Sequence, residues 1–168
     1  MSYVSPKAVR TDRGLVAAQP LTQGEVVAVF GGRCVGRSEF DALDLVAQHS
    51  ALQVDDDVFL VDPTSGPGQL VTHSCSPSCG LRGATTLVSL GAIAVGEPLT
   101  YDFATSQASS CCDFECTCAS ASCRGKITGD DWMLPELQLR YRGHFSPYLA
   151  ARIASLSAAG AGRRAFAY

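Results

Sequence analysis

The segment CTCASASCRGKI runs from Cys116 to Ile127 and holds three cysteines, spaced by one residue and then by four. A structural zinc site takes four ligands in a tetrahedron. The segment is therefore one ligand short, and what it is stapled to decides the reading of the chain. There are eight cysteines in all: Cys34, Cys75, Cys79, Cys111, Cys112, Cys116, Cys118 and Cys123. Eight in a secreted chain suggest a disulfide framework. The start, MSYVSPKAVR, has no apolar h-region and does not read as a secretory signal. An intracellular, reducing compartment (cytoplasm or nucleus) is the expectation, and there clustered cysteines read as metal ligands. The CxC pair is also too tight for an easy mutual disulfide.

Composition bounds the rest. At 168 residues the chain suggests one domain with a real core and a small appendage. Hydrophobic residues make up 46% and charged ones 17%, an ordinary globular composition. A net charge of −3 argues against bulk electrostatic binding to nucleic acid and tolerates a basic, lysine-bearing partner. No apolar run reaches the length of a membrane span.

Along the chain, GLVAA and EVVAVFGG read as short strands with a glycine turn. SEFDALDLVAQHS, with Ser38 and Asp41 as a capping box, predicts a helix over about 38–50. ALQVDDDVFLVD predicts a hairpin with Asp55, Asp56 and Asp57 as a solvated turn. TTLVSLGAIAVGEPLTYDF gives two further strands. ATSQASSCCD is small and polar and reads as a flexible linker. DDWMLPELQLRYRG and SPYLAARIASLSAAG predict two helices, the second capped by Ser146 with Pro147 at its first position. The end, AGRRAFAY, should fray.

Three stretches combine. THSCSPSC (Thr72–Cys79), GEPLTYDF (Gly96–Phe103) and CTCASASCRG (Cys116–Gly125) occur in that order. Together they resemble the SET-domain protein lysine methyltransferases with a post-SET zinc segment, whose patterns read NHSCxPN, ELTYDY and CxCx4C followed by Arg-Gly. DRGLVAAQPLTQGEVVAVFGG (Asp12–Gly32) is similar to the family's opening strand pair. The resemblance covers roughly residues 10 to 129. It implies a mainly β fold of small curved sheets with a knot-like crossing, to which short C-terminal α-helices are added. The expected layout is a core over 1–104, a linker over 105–113, a zinc segment over 114–129 and a helical extension over 130–168. The extension is expected to cover the zinc lobe or to form a homodimer surface.

The resemblance supplies the missing ligand. The cysteine of NHSC joins the three post-SET cysteines, so the implied zinc site is Cys75, Cys116, Cys118 and Cys123. Cys111 and Cys112 compete in sequence, but adjacent cysteines seldom point into one tetrahedron, and they read as free thiols. Cys79 is not the matching position. Cys34 is most simply a small buried apolar residue.

The implied activity is transfer of a methyl group from S-adenosylmethionine to a lysine side chain of a protein, histone tails being the family's commonest substrate class. The amine must be neutral, whereas a free lysine titrates at about 10.4. A narrow apolar channel beside a sulfonium favours the neutral form. By resemblance, Arg13, Gly14, Thr72, His73 and Ile127 hold the cofactor, and Tyr101, Phe103 and Phe30 line the channel. A lone histidine or a strand-end tyrosine is otherwise ordinary core. The chain departs from the family at Asp12, Phe30, Thr72, Ser78 and Phe103, two of these removing channel hydroxyls. Such departures also suit a catalytically silent, zinc-containing module that binds a peptide or partner. A zinc-bearing nucleic-acid module is disfavoured by charge and by CxC rather than CxxC spacing.

Overall fold

The computed structural model describes residues 1–64, 66–109 and 113–165. It is mainly β, built from small sheets. The strands in the first half are β1 (Tyr3–Val4), β2 (Ala8–Thr11), β3 (Gly14–Ala17), β4 (Val26–Val29) and β5 (Arg33–Gly36). Two short helices follow, α1 (Arg37–Asp41) and α2 (Leu45–Ser50), then the β6 (Leu52–Asp55) and β7 (Val58–Val61) hairpin. After α3 (Pro67–Leu70) come β8 (Thr72–His73), β9 (Cys79–Arg82), β10 (Thr86–Ser89) and β11 (Thr100–Tyr101). Two-residue strands β12 (Phe114–Glu115) and β13 (Lys126–Ile127) bracket the cysteine segment. The chain ends in α4 (Pro135–Arg140) and α5 (Pro147–Ala165).

The four-stranded sheet has the order β1-β4-β10-β9, and β5-β7-β6 forms a second sheet. β2 and β3 pair by themselves. Along β3 the apolar Leu15 and Ala17 turn inward at every second residue, as one buried face requires. Between the sheets lies a core of Leu15, Val27, Ala28, Leu52, Leu81, Leu87 and Leu99. Phe30 and Tyr101 sit at its margin with Phe103 against them. A second cluster gathers Trp132, Leu137, Tyr141, Phe145 and Leu149 around Ala104. The C-terminal extension is thus folded onto the short turn that follows β11.

The crossing of chain segments is set by β8 and β11. They pair in parallel, with Thr100 opposite Thr72 and Tyr101 opposite His73. Ser78 ties the next loop to the same strand: its Oγ donates to the Pro98 carbonyl at 2.7 Å and accepts from the Thr100 N–H at 3.2 Å. A serine at this position therefore still makes hydrogen bonds across the crossing.

Several expectations change. The single helix over 38–50 is two, because the chain breaks after Asp41. Ser38 does not cap: Gly36 is the cap of α1, and no side chain bonds there. Asp44 caps α2, accepting from Ala47 N–H at 2.8 Å. Pro135 likewise divides the first C-terminal helix into a 3-10 turn, Asp131–Met133, and α4. Ser146 precedes α5 as expected, but its buried hydroxyl has no hydrogen-bond partner. α5 continues to Ala165, further than the expected fray point. Cys34 is exposed, not buried, because it lies on β5 with its side chain away from the core. The hairpin turn carries Asp57 at φ 55, a left-handed conformation that Asp tolerates. The turn is solvated as expected, and two of its three aspartates also form exposed ion pairs, Asp57 with Arg37 and Asp56 with Arg152. The expected linker is buried at Ala104, Thr105, Ser106 and Gln107 and again at Ser109, so this part is structural. Cys111 and Cys112 lie outside the described residues.

Candidate functional site

The three cysteines of the CxCx4C segment and Cys75 come together. Their four Sγ atoms all lie within 4.8 Å of one another. A zinc tetrahedron with bonds of about 2.3 Å has S···S edges of about 3.8 Å, and Cys75 and Cys116 are separated by 3.8 Å. The four thiols therefore fit a zinc ion. The loop is shaped for this. Ala119 takes a φ of 57 between Cys118 and Ser120, and the Cys116 N–H donates to the Gly125 carbonyl at 2.6 Å. Cys79, although buried, is not part of the cluster.

Cys75 Sγ has N–H donors around it, and Cys118 Sγ has the Ser120 hydroxyl at 3.3 Å, the kind of donor that orients a thiolate ligand. The Arg124 N–H donates to Cys75 Sγ at 3.4 Å. His73 Nδ1 accepts from the Phe103 N–H at 3.2 Å, so the proton of the neutral ring sits on Nε2. Nε2 is 3.3 Å from Cys75 Sγ and donates to it. Burial pulls the imidazole down from 6.5 to about 4, outweighing Asp102, so His73 is neutral at pH 7. Burial also pushes the Cys75 thiol up. A bound cation would reverse that by stabilising the thiolate.

Arg124 joins this lobe to the β11 turn. Its guanidinium grips buried Asp102 with two bonds, 2.6 and 2.8 Å, and donates to Asp131 at 2.8 Å. Asp102 also caps the 3-10 turn Phe103–Thr105 through the Ala104 N–H at 3.1 Å. The Cys75 carbonyl accepts from Ser122, Arg140 and Tyr141. The links from Arg124 to Asp102 and from Ser122, Arg140 and Tyr141 to the Cys75 carbonyl join residues 22 to 66 apart, so no local pattern in the sequence announces them.

Next to the cysteines lies a cleft of about 870 Å³, lined in part by Arg10, Arg13, Thr72, His73, Phe103 and Phe114. It has the volume of an ordinary small-molecule site. Of the expected cofactor residues, Arg13, Thr72 and His73 line it. Gly14 does not, and its glycine is needed for another reason. Its φ is +112, and a Cβ would come within 2.7 Å of the Leu70 carbonyl. Gly14 lets β3 approach the strand carrying Thr72. Ile127 is buried, opposite Phe114 in the β12–β13 pair, and is not part of the cleft lining.

The aromatic positions form one continuous set. Phe30 meets Tyr101 edge-on at 5.9 Å, and Tyr101 lies 4.9 Å from Phe103. Phe103 in turn contacts His73 and Phe114, at 5.2 and 6.0 Å. Phe114 was not read as a site residue; only its position two residues before the first segment cysteine hints at it. The Tyr101 hydroxyl is 3.5 Å from Ser106 Oγ. A row of rings thus runs from the core margin to the cleft, whose far side is the four-cysteine lobe.

No protein-family model matches the chain. The chain is similar to the variant-silencing SET domain-containing protein of Plasmodium falciparum (isolate 3D7), at 24% identity over 166 residues and 84% of this chain. It spans about 6% of that protein's length. The match covers most of the chain and points to a SET-like domain, in keeping with the small-sheet β architecture. Among the described residues no helix is long and apolar enough to cross a membrane.

Proposed function

We propose that this chain is an S-adenosylmethionine-dependent protein-lysine N-methyltransferase with a structural zinc on Cys75, Cys116, Cys118 and Cys123. The observation that carries the reading is the row of rings Phe30–Tyr101–Phe103–Phe114 opening beside the Arg13–Thr72–His73 cleft. When bound, the cofactor would supply an electrophilic sulfonium methyl group. Arg13, Thr72 and His73 would hold it. The remaining work belongs to the chain. The rings strip water from the incoming side chain and favour the neutral amine over the ammonium. The Tyr101 hydroxyl is the one phenol among the three expected channel positions, so it orients the amine and fills space that further methyl groups need. Such positioning is the main route to rate in an in-line displacement. The substrate class is a lysine-bearing protein, a basic one suiting the chain's acidic balance.

The test combines two measurements. Calorimetry with S-adenosylhomocysteine reads the cleft, and mass spectrometry of a lysine-rich protein mixture incubated with chain and cofactor reads the reaction. We expect binding and a product restricted to monomethyl-lysine. Tyr101→Phe should shift the product toward higher methylation, and Phe103→Tyr should raise the rate. Binding without any methylation would leave the silent partner-binding module, which the missing hydroxyls at Phe30 and Phe103 favour. Absence of binding would overturn the cofactor reading itself.

A further inference from the structure

We propose that the concavity between the Cys75 loop and α4 binds a phosphate-class oxyanion, and that its occupancy stiffens the four-cysteine lobe. The concavity measures about 480 Å³ and is lined by Ser76, Ser122, Arg140, Arg142 and His144, among others. No carboxylate lines it. Two guanidiniums and the Ser76 hydroxyl are donors that a tetrahedral oxyanion uses, while Ser122, whose own O–H donates to the Cys75 carbonyl, offers it only an acceptor oxygen. The positive charge is uncompensated. Lys7, Arg33, Arg37, Arg124 and Arg152 each pair with a carboxylate. Arg140 and Arg142 have no such partner among the described residues, as is also true of Arg10, Arg13, Arg82 and Lys126, but only these two face one concavity together with Ser76, Ser122 and His144.

Part of the donor set is held in place without a ligand. Arg140 Nη1 donates to the Cys75 carbonyl at 3.3 Å, and its guanidinium lies 5.9 Å from the Tyr141 ring centre. His144 stands where Gly80 makes room: a Cβ there would come within 3.0 Å of the imidazole. Its Nδ1–H donates to the Leu81 carbonyl at 2.9 Å, which leaves Nε2 as an acceptor for the P–OH of a hydrogen phosphate. Groups fixed beforehand lose less freedom when a ligand arrives.

The coupling follows from connectivity. The Cys75 carbonyl accepts from Ser122 at 3.4 Å and from Arg140 and Tyr141, both at 3.3 Å. Ser76 and Ser122 are chain neighbours of Cys75 and Cys123. An oxyanion held between these serines and Arg140 cross-links both cysteine-bearing loops to α4. The site does not depend on the methyl-transfer reading; only the stiffening depends on the zinc.

The experiment is an amide NMR titration of the zinc-loaded chain with inorganic phosphate and with phosphoserine at constant ionic strength. Saturable shifts are expected at Ser76, Ser122 and His144. Arg142→Gln should weaken them about tenfold, the worth of one charge-assisted hydrogen bond. Arg82→Gln, outside the concavity, should not. Tighter binding of phosphoserine assigns the site to a modified protein side chain, and tighter binding of phosphate to a free anion. Absence of saturation at tens of millimolar, or the same shifts with chloride, overturns the site. Phosphate should also slow zinc loss to a chelator several-fold in the parent chain and not in Arg140→Gln. Equal rates, or a chain that takes up no zinc, overturn the coupling and leave the phosphate shifts to decide the site.

Discussion

Arg124 is where the cysteine lobe, the β11 turn and the C-terminal extension meet. Its N–H reaches Cys75 Sγ, two guanidinium nitrogens reach Asp102, and the third reaches Asp131. Asp102 is 1% exposed, so its charge is tolerable only because it is paired. Arg124→Gln should therefore cost about 3–5 kcal/mol, since it leaves a buried carboxylate uncompensated. Asp102→Asn should cost less, because Arg124 keeps Asp131 as a carboxylate partner. Adding Asp102→Asn to Arg124→Gln should recover part of the loss. Denaturant unfolding of the two single variants and the double variant measures this. Additive losses would show that the two side chains do not act as a pair. The sequence hides this contact. Arg124 is visible as the residue after the last cysteine and Asp102 as the centre of TYDF, but their bond spans 22 residues and has no periodic signature. The four thiols were legible only through the family resemblance, because the spacing of the trio alone does not choose among the remaining cysteines.

At the scale of elements, legibility follows length and turn residues. β3, β4, β10 and the β6–β7 hairpin could be read because each is a run rich in β-branched and apolar residues with glycines or aspartates marking its turns, although only β3 and β7 alternate strictly between buried and half-buried positions. β8, β11, β12 and β13 have two residues each. They exist through their partners, so no local pattern announces them. The caps failed for a similar reason: Ser38 and Asp44 are both good capping types, and tertiary packing chose the second. The entry to β4 offers a test of such local chemistry. Glu25 accepts from Lys7 Nζ at 2.5 Å and from both the backbone and the hydroxyl of Thr22. These bonds, the Lys7 bond first, hold its carboxyl at about 2 against an ordinary 4.5. A depressed carboxyl stabilises the fold fully above the unfolded value, and the contribution fades as pH falls toward the folded one. The melting temperature of the parent chain should exceed that of Glu25→Gln by a constant margin above pH 4.5, and the margin should close toward pH 2. A margin independent of pH would assign the effect to packing.

For the whole molecule, the distribution of apolar contacts dictates how it should come apart. The main sheets and the C-terminal extension each own a buried cluster. Residues 114–129 lie outside both, and Ile127 is their one buried apolar side chain. What holds this segment is the thiol cluster, the Arg124 pairs and a two-strand ribbon. A structural zinc supplies about 10 kcal/mol or more of apparent binding energy, more than such a ribbon can replace. Chelation under reducing conditions should thus release the segment as a unit while the rest stays folded. Phe114 would leave its contacts with His73 and Phe103, at 5.5 and 6.0 Å, and the cleft would lose a wall. Hydrogen exchange is the measurement. Amides of residues 114–129 should lose protection on chelation, those of β4 and β10 should keep it, and affinity for S-adenosylhomocysteine should fall in the same titration. Cys75→Ser should reproduce all three effects without chelator. Uniform loss of protection would mean that the lobe and the sheets fold as one, and retained affinity would mean that the lobe does not build the cleft.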